Sequence, residues 1–139
     1  MRLIVLLAAL GLALGLAACG ESDEDKAKAD VCDARDDIRT QVKELQDLTL
    51  GTATVDKVRS HLTAIGDDLK KIADAQDQLS ESDRKQVQAA NQEFKSKLNT
   101  LGGDIGQSLS LEDAAQQLKS DFADLATTYE QALGPIDCG

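Results

Sequence analysis

Four stretches of apolar residues, spaced three or four apart, constrain this chain more than any other feature. The second stretch follows a heptad through Val55, Val58, Leu62, Ile65, Leu69, Ile72 and Leu79, with polar Gln76 as its one miss. Because an α-helix has about 3.6 residues per turn, residues at this spacing share one face. Such a face must be buried against a neighbour, so the pattern predicts packed helices with a coiled-coil-like contact.

The other three stretches have the same spacing. They run through Val31, Arg35, Ile38, Val42 and Leu45, through Val87, Asn91, Phe94, Leu98, Leu101 and Ile105, and through Leu111, Ala115, Leu118, Phe122, Leu125, Tyr129 and Leu133. Polar Arg35 interrupts the apolar series of the first stretch and polar Asn91 that of the third, as Gln76 does in the second. The chain has only three aromatic residues and one proline, a composition that favours helix over sheet.

Residues that begin or end helices separate the stretches: Gly51 and Thr52, then Ser80 or Ser82, then Ser110, and last Gly134 and Pro135. Because the connections are short, consecutive helices should be antiparallel. We therefore expect an all-α, up-down-up-down antiparallel four-helix bundle, with Phe94 and Phe122 as core neighbours. The alternative is a three-helix bundle in which the glycines around Gly102 only kink one long last helix.

The N-terminal segment has the pattern of an export signal. Met1 and Arg2 precede an unbroken apolar or small run from Leu3 to Ala18. As a helix this run spans roughly 24 Å, which is short of the roughly 30 Å hydrocarbon core of a bilayer. Residues 20–25 are acidic where a membrane-spanning segment is usually followed by Lys or Arg. A secretory signal is favoured over a transmembrane helix.

The end of this segment, Leu16-Ala17-Ala18-Cys19, resembles the lipobox of bacterial lipoproteins. The resemblance implies diacylglyceryl transfer to the Cys19 sulfur, cleavage after Ala18 and N-acylation, for example with palmitate. It implies a lipid-anchored protein on the extracytoplasmic face of a bacterial cell membrane, since two or three acyl chains suffice for lasting attachment. The expected division is a signal peptide at 1–18, a lipidated acidic tether at 19–29 and the helical bundle at 30–139.

Acylation of Cys19 would leave two of the three cysteines, Cys32 and Cys138, as an even pair in an oxidising compartment. Cys32 lies near the start of the first helix and Cys138 lies just beyond the last. An even number of antiparallel helices brings these points to one end, whereas three helices separate them by a helix length. We therefore expect a Cys32–Cys138 disulfide. The alternative is two unpaired cysteines, with Cys32 as a small core residue.

The sequence offers no pattern typical of a catalytic, cofactor or metal site. His61 is the single histidine and flanks the apolar face, which predicts a partly exposed position. The residue three before it is Val58, so the Glu-x-x-His motif of di-iron bundles is absent. Neither zinc-ligand spacing nor a calcium-loop motif occurs. A formal charge of −10 argues against a nucleic-acid partner.

These observations favour a non-enzymatic, membrane-anchored helical bundle that serves as an interaction or envelope module, with a protein of the bacterial envelope as partner. The polar interruptions Arg35, Gln76 and Asn91 would open a partner groove, although imperfect packing explains them equally. The alternative is a lipoprotein that binds a small ligand or a cation through its acidic surface or a pocket between helices.

Overall fold

A computed structural model describes residues 22–48, 55–107 and 111–139. These ranges form four α-helices: α1 (Asp23–Asp47), α2 (Val55–Ala75), α3 (Glu81–Gln107) and α4 (Leu111–Ala132). A single 3-10 turn, Gln76–Gln78, follows α2. The predicted all-α four-helix bundle is confirmed. The three-helix alternative is wrong, because α3 and α4 are separate helices that pack against each other.

Each helix packs against two others, in the order α1, α2, α3, α4 and back to α1. Side-chain contacts give the direction of each neighbour. His61 near the start of α2 meets Gln41 near the end of α1, and Gln86 near the start of α3 reaches the carbonyl of Pro135 beyond α4. Neighbouring helices are therefore antiparallel, and the start of α1 shares one end of the bundle with the C-terminus.

The first helix begins earlier than the domain boundary placed at residue 30. Ser22 and Asp25 form a reciprocal capping box, in which the Asp25 N–H donates to Ser22 Oγ at 3.1 Å. Ala27, assigned above to the tether, is helical and buried. An alanine between charged residues gives little sign of burial in the sequence. Only Gly20, Glu21 and Ser22 separate Cys19 from the helix.

The core is built from the apolar faces of all four helices. Its largest fully buried side chains are Phe94, Ile38, Leu45, Ile65, Ile72, Leu101, Leu125 and Leu133. Phe94 and Phe122 are both buried, but the ring that meets Phe94 edge-on is Tyr129, with centroids 6.2 Å apart. The direct Phe94–Phe122 contact stays a prediction.

Glycines inside the helices and the glycine after α4 have different surroundings. A Cβ at Gly66 would have no atom within 4 Å, so this residue does not mark a close approach of helices. At Gly134 a Cβ would lie 2.5 Å from the carbonyl oxygen of Glu130. The amides of Leu133 and Gly134 both donate to the carbonyl of Tyr129. The end of α4 therefore requires a residue without a side chain at 134.

We expect Gly134→Ala and Gly66→Ala to have opposite effects on the free energy of unfolding. The Gly134 variant should lose roughly 1–3 kcal/mol because its Cβ overlaps main-chain atoms. The Gly66 variant should gain about 0.5–1 kcal/mol because alanine favours an uncrowded helix interior. Urea unfolding at neutral pH measures both values, and equal stability of the two variants would contradict this account of Gly134.

Candidate functional site at the disulfide end of the bundle

The structure brings the predicted cysteine pair together. The sulfurs of Cys32 and Cys138 lie 2.01 Å apart, at bonding distance, although 106 residues separate them in the chain. This proximity follows from the topology, because α4 runs antiparallel to α1 and the residues after α4 continue along α1. We call these last residues, 134–139, the C-terminal strap.

Arg35 binds the strap to α1. Its Nη1 donates to the carbonyl of Ile136 at 2.8 Å, and its Nη2 lies 3.0 Å from the Asp36 carboxylate. The Arg35 side chain is 18% exposed, so the bond to the carbonyl is partly shielded from water. The hydroxyl of Tyr129 donates to the main-chain carbonyl of Arg35 at 3.1 Å. Arg35, although it interrupts the apolar face of α1, therefore binds the C-terminal strap and does not open a groove.

The strap also packs through Ile136, whose side chain is buried beside Val31, Leu79 and Val87. Gln86 of α3 donates to the carbonyl of Pro135 at 3.3 Å. The gap left beside Ile136 has a volume of about 10 Å³, which is room for about one water molecule. The strap thus fills the space between α1 and α3, and the gap left beside Ile136 is too small for a ligand larger than water.

An open acidic groove lies between α1 and α2 at the same end. Four carboxylates line it, together with Lys71: Asp30, Asp33, Asp37 and Asp74. Lys71 Nζ donates to buried Asp68 at 2.6 Å, and this bond together with the Asp68 charge raises the Lys71 pKa above its usual value. Within the described ranges, no three His, Cys, Asp or Glu side chains are arranged to hold a metal ion.

His61 lies near the other end of the bundle. Its Nδ1 is 2.7 Å from Gln41 Oε1 and 3.3 Å from Glu44 Oε2, so the ring links α2 to α1. The side chain is partly exposed, as its place beside the apolar face predicts. These contacts give His61 a structural role in joining two helices.

Sequence reasoning missed two of the buried polar residues, Asp68 and Asp121, because neither interrupts an apolar face. Asn91 and Asp121 are 8% and 9% exposed, and the described residues provide no hydrogen-bond partner for Asn91 Oδ1 or Asp121 Oδ2. The other oxygen of Asp121 accepts a bond from Gln117 at 2.9 Å. Gln76 interrupts the heptad where α2 gives way to the 3-10 turn.

Several sequence features lie outside the described residues, among them the expected signal peptide at 1–18 and the helix-ending Gly51 and Thr52. Cys19, the expected lipidation site, and Ser110, the expected cap of α4, also lie outside them. In the part of the chain that is described, no helix is both long and apolar enough to cross a bilayer.

Comparison of the chain with models of known protein families gave no match. Neither curated proteins nor solved structures gave a match. The assignment of a function therefore depends on the residues themselves.

Titration of Tyr129 should report on this end of the bundle. Burial raises the pKa of its hydroxyl above the usual value of 10, and the charge of Arg35 offsets part of that increase. Because the neutral hydroxyl is favoured in the folded state, its contribution to stability is complete below pH 10. That contribution is lost as pH rises through the higher folded pKa.

Since the chain has one tyrosine and no tryptophan, tyrosinate absorbance follows this group alone. We expect a midpoint above pH 10 in buffer and close to 10 in concentrated urea. Tyr129→Phe should lose about 0.5–1.5 kcal/mol at neutral pH, because the bond to Arg35 is removed. An identical midpoint in buffer and in urea would contradict the buried position of the hydroxyl.

Proposed function

We propose that this chain is a bacterial lipoprotein, anchored by acyl chains on Cys19 at the extracytoplasmic face of the cell membrane. Its four-helix bundle would act as a non-enzymatic interaction module for a protein of the envelope. The observation that carries the proposal is the lipobox-like Leu16-Ala17-Ala18-Cys19, placed three residues before the N-cap of a folded bundle.

The cysteines support this proposal in a second way. Stable disulfides are typical of exported proteins, and the bundle brings Cys32 and Cys138 to bonding distance. Of the three cysteines in the chain, Cys19 is the one that remains when Cys32 and Cys138 are paired. An odd cysteine at the end of an apolar signal is the sulfur that lipid attachment requires.

The anchor would place the strap end of the bundle next to the bilayer. The four chain steps from Cys19 to Asp23 span at most about 14 Å. The first turn of α1 carries Asp23, Glu24 and Asp25, and Asp137 lies in the strap at the same end. Anionic headgroups repel these carboxylates. The bundle would therefore project from the membrane and leave its helical sides accessible.

The accessible surface favours a basic partner. The chain has a formal charge of −10, and the acidic groove concentrates Asp30, Asp33, Asp37 and Asp74 on one side. Opposite charge accelerates association and selects among partners more than it adds affinity. A protein with a basic patch is the partner class that this surface suits best.

A cation-binding lipoprotein is the second candidate, and the acidic groove is the observation that favours it. Lys71 lies within the groove and neutralises part of its charge. An increase in melting temperature with Ca²⁺, absent in Asp33→Asn/Asp74→Asn, would favour this alternative over the interaction module.

Cys19→Ala tests the anchor directly. Expressed in a bacterial host, the unaltered chain should incorporate labelled palmitate, lose residues 1–18 and sediment with membranes. The variant should incorporate no label and keep its N-terminal segment, because the acyl acceptor is gone. Mass spectrometry of the purified chain checks both outcomes. An unaltered chain that is unacylated and soluble would overturn the proposal.

A photo-crosslinking amino acid at Gln78, in the acidic groove, tests the interaction role in the same cells. We expect one discrete crosslinked product that disappears when Asp33 and Asp74 are replaced by Asn, because the partner is held by their charge. The same probe at Gln92, on the exposed side of α3, serves as the matched control. Identical products from both positions would contradict a specific groove contact.

A further inference from the structure

We propose that the C-terminal strap is a thiol–disulfide latch and that Arg35 is its positioning residue. Arg35 would dock the strap without covalent help and so present Cys138 to Cys32. Reduction would allow the strap to undock and dock reversibly while the four helices stay folded. The latch is formed by residues of α1, α3 and the strap, and it does not require lipid attachment at Cys19.

The contacts of Arg35 fix the register between the strap and α1. The bond from Arg35 to the carbonyl of Ile136 is three residues from Cys32 on one segment and two residues from Cys138 on the other. When the carbonyl of Ile136 is held by Arg35, the backbone between it and Cys138 is short. The Cys138 sulfur can therefore occupy only a few positions, all close to Cys32. The Asp36 carboxylate lies beside the guanidinium on its other edge and restrains it.

Further contacts on the same short segment cooperate with Arg35. Ile136 is buried beside Val31 and Val87, and Gln86 donates to the carbonyl of Pro135. Each of these contacts is non-covalent and involves neither sulfur atom, so the same contacts are available to the strap of the reduced chain. The strap therefore has a docked state that precedes the disulfide.

Docking and oxidation are linked because the disulfide requires the docked strap. Any interaction that favours the docked state raises the effective concentration of one thiol at the other. A hydrogen bond from a charged group changes such an equilibrium by about tenfold or more. Loss of the Arg35 side chain should therefore make the Cys32–Cys138 bond easier to reduce by about that factor.

The opening should be local. Both cysteines are partly exposed, so a reductant can reach them, whereas the central core side chains of the four helices are fully buried. With a dithiol such as dithiothreitol, the Cys32–Cys138 bond breaks and a cyclic disulfide forms in the reagent. Two electrons and two protons pass from the reagent to the two cysteine sulfurs.

The test uses the full chain in detergent with Cys19→Ser, so that two sulfurs remain whatever happens at the lipobox. The protein is equilibrated with mixtures of reduced and oxidised dithiothreitol, and its free thiols are trapped with an alkylating agent. Mass spectrometry then gives the fraction of chains with the disulfide. We expect Arg35→Leu to lower the effective thiol concentration about tenfold or more, and Arg35→Lys to restore part of it. Arg39→Leu, on the exposed side of α1, should stay within about twofold of the parent. Equal values for Arg35→Leu and Arg39→Leu would overturn the role of Arg35.

Hydrogen exchange of the reduced parent tests the latch separately. Exchange should accelerate in the strap, residues 134–139, and remain slow in α2 and α3. Uniform acceleration, or none, would overturn local release. If Arg35→Leu does not fold, Gln86→Leu should still lower the effective thiol concentration severalfold, since it removes the bond to Pro135. An unchanged value in that variant would equally overturn the proposal.

Discussion

Burial of one apolar face from each helix, in a closed ring of four antiparallel neighbours, is the constraint on which the structure depends. The ring places the start of α1 and the end of α4 at the same end, so two sulfurs 106 residues apart reach bonding distance. It also brings the C-terminal strap across the space between α1 and α3. The arrangement of the disulfide end is thus a result of helix order and direction.

The polar interruptions of the apolar faces show what spacing alone leaves undetermined. Arg35 and Asn91 occupy equivalent places in their heptads, yet one binds a distant carbonyl and the other keeps a buried oxygen without a described partner. Gln76 interrupts its stretch because α2 ends one residue earlier. Periodicity assigns a residue to a face, but its partner depends on side chains from elements far away in sequence.

The helices, the glycine at the end of α4 and the closeness of Cys32 to Cys138 could be predicted, since each depends on local chemistry or on helix order. The start of α3 could be narrowed to Ser80 or Ser82, and Ser80 is the cap. Burial of Ala27 was not foreseen, because a small residue contributes little to a periodic signal. The hydrogen bond between Arg35 and Ile136 was not foreseen either, because no local pattern connects residues 101 positions apart.

The position of the Cys32–Cys138 bond has a mechanical consequence. A pulling force on the start of α1 is transmitted along its first turns to Cys32 and is then shared through the disulfide with the C-terminal strap. Beyond Cys32 the force divides between α1 and the strap, so α1 cannot be pulled away from the bundle without the strap. The residues of α1 before Cys32 lie outside the loop that the disulfide closes, so they can extend under force while that bond stays intact.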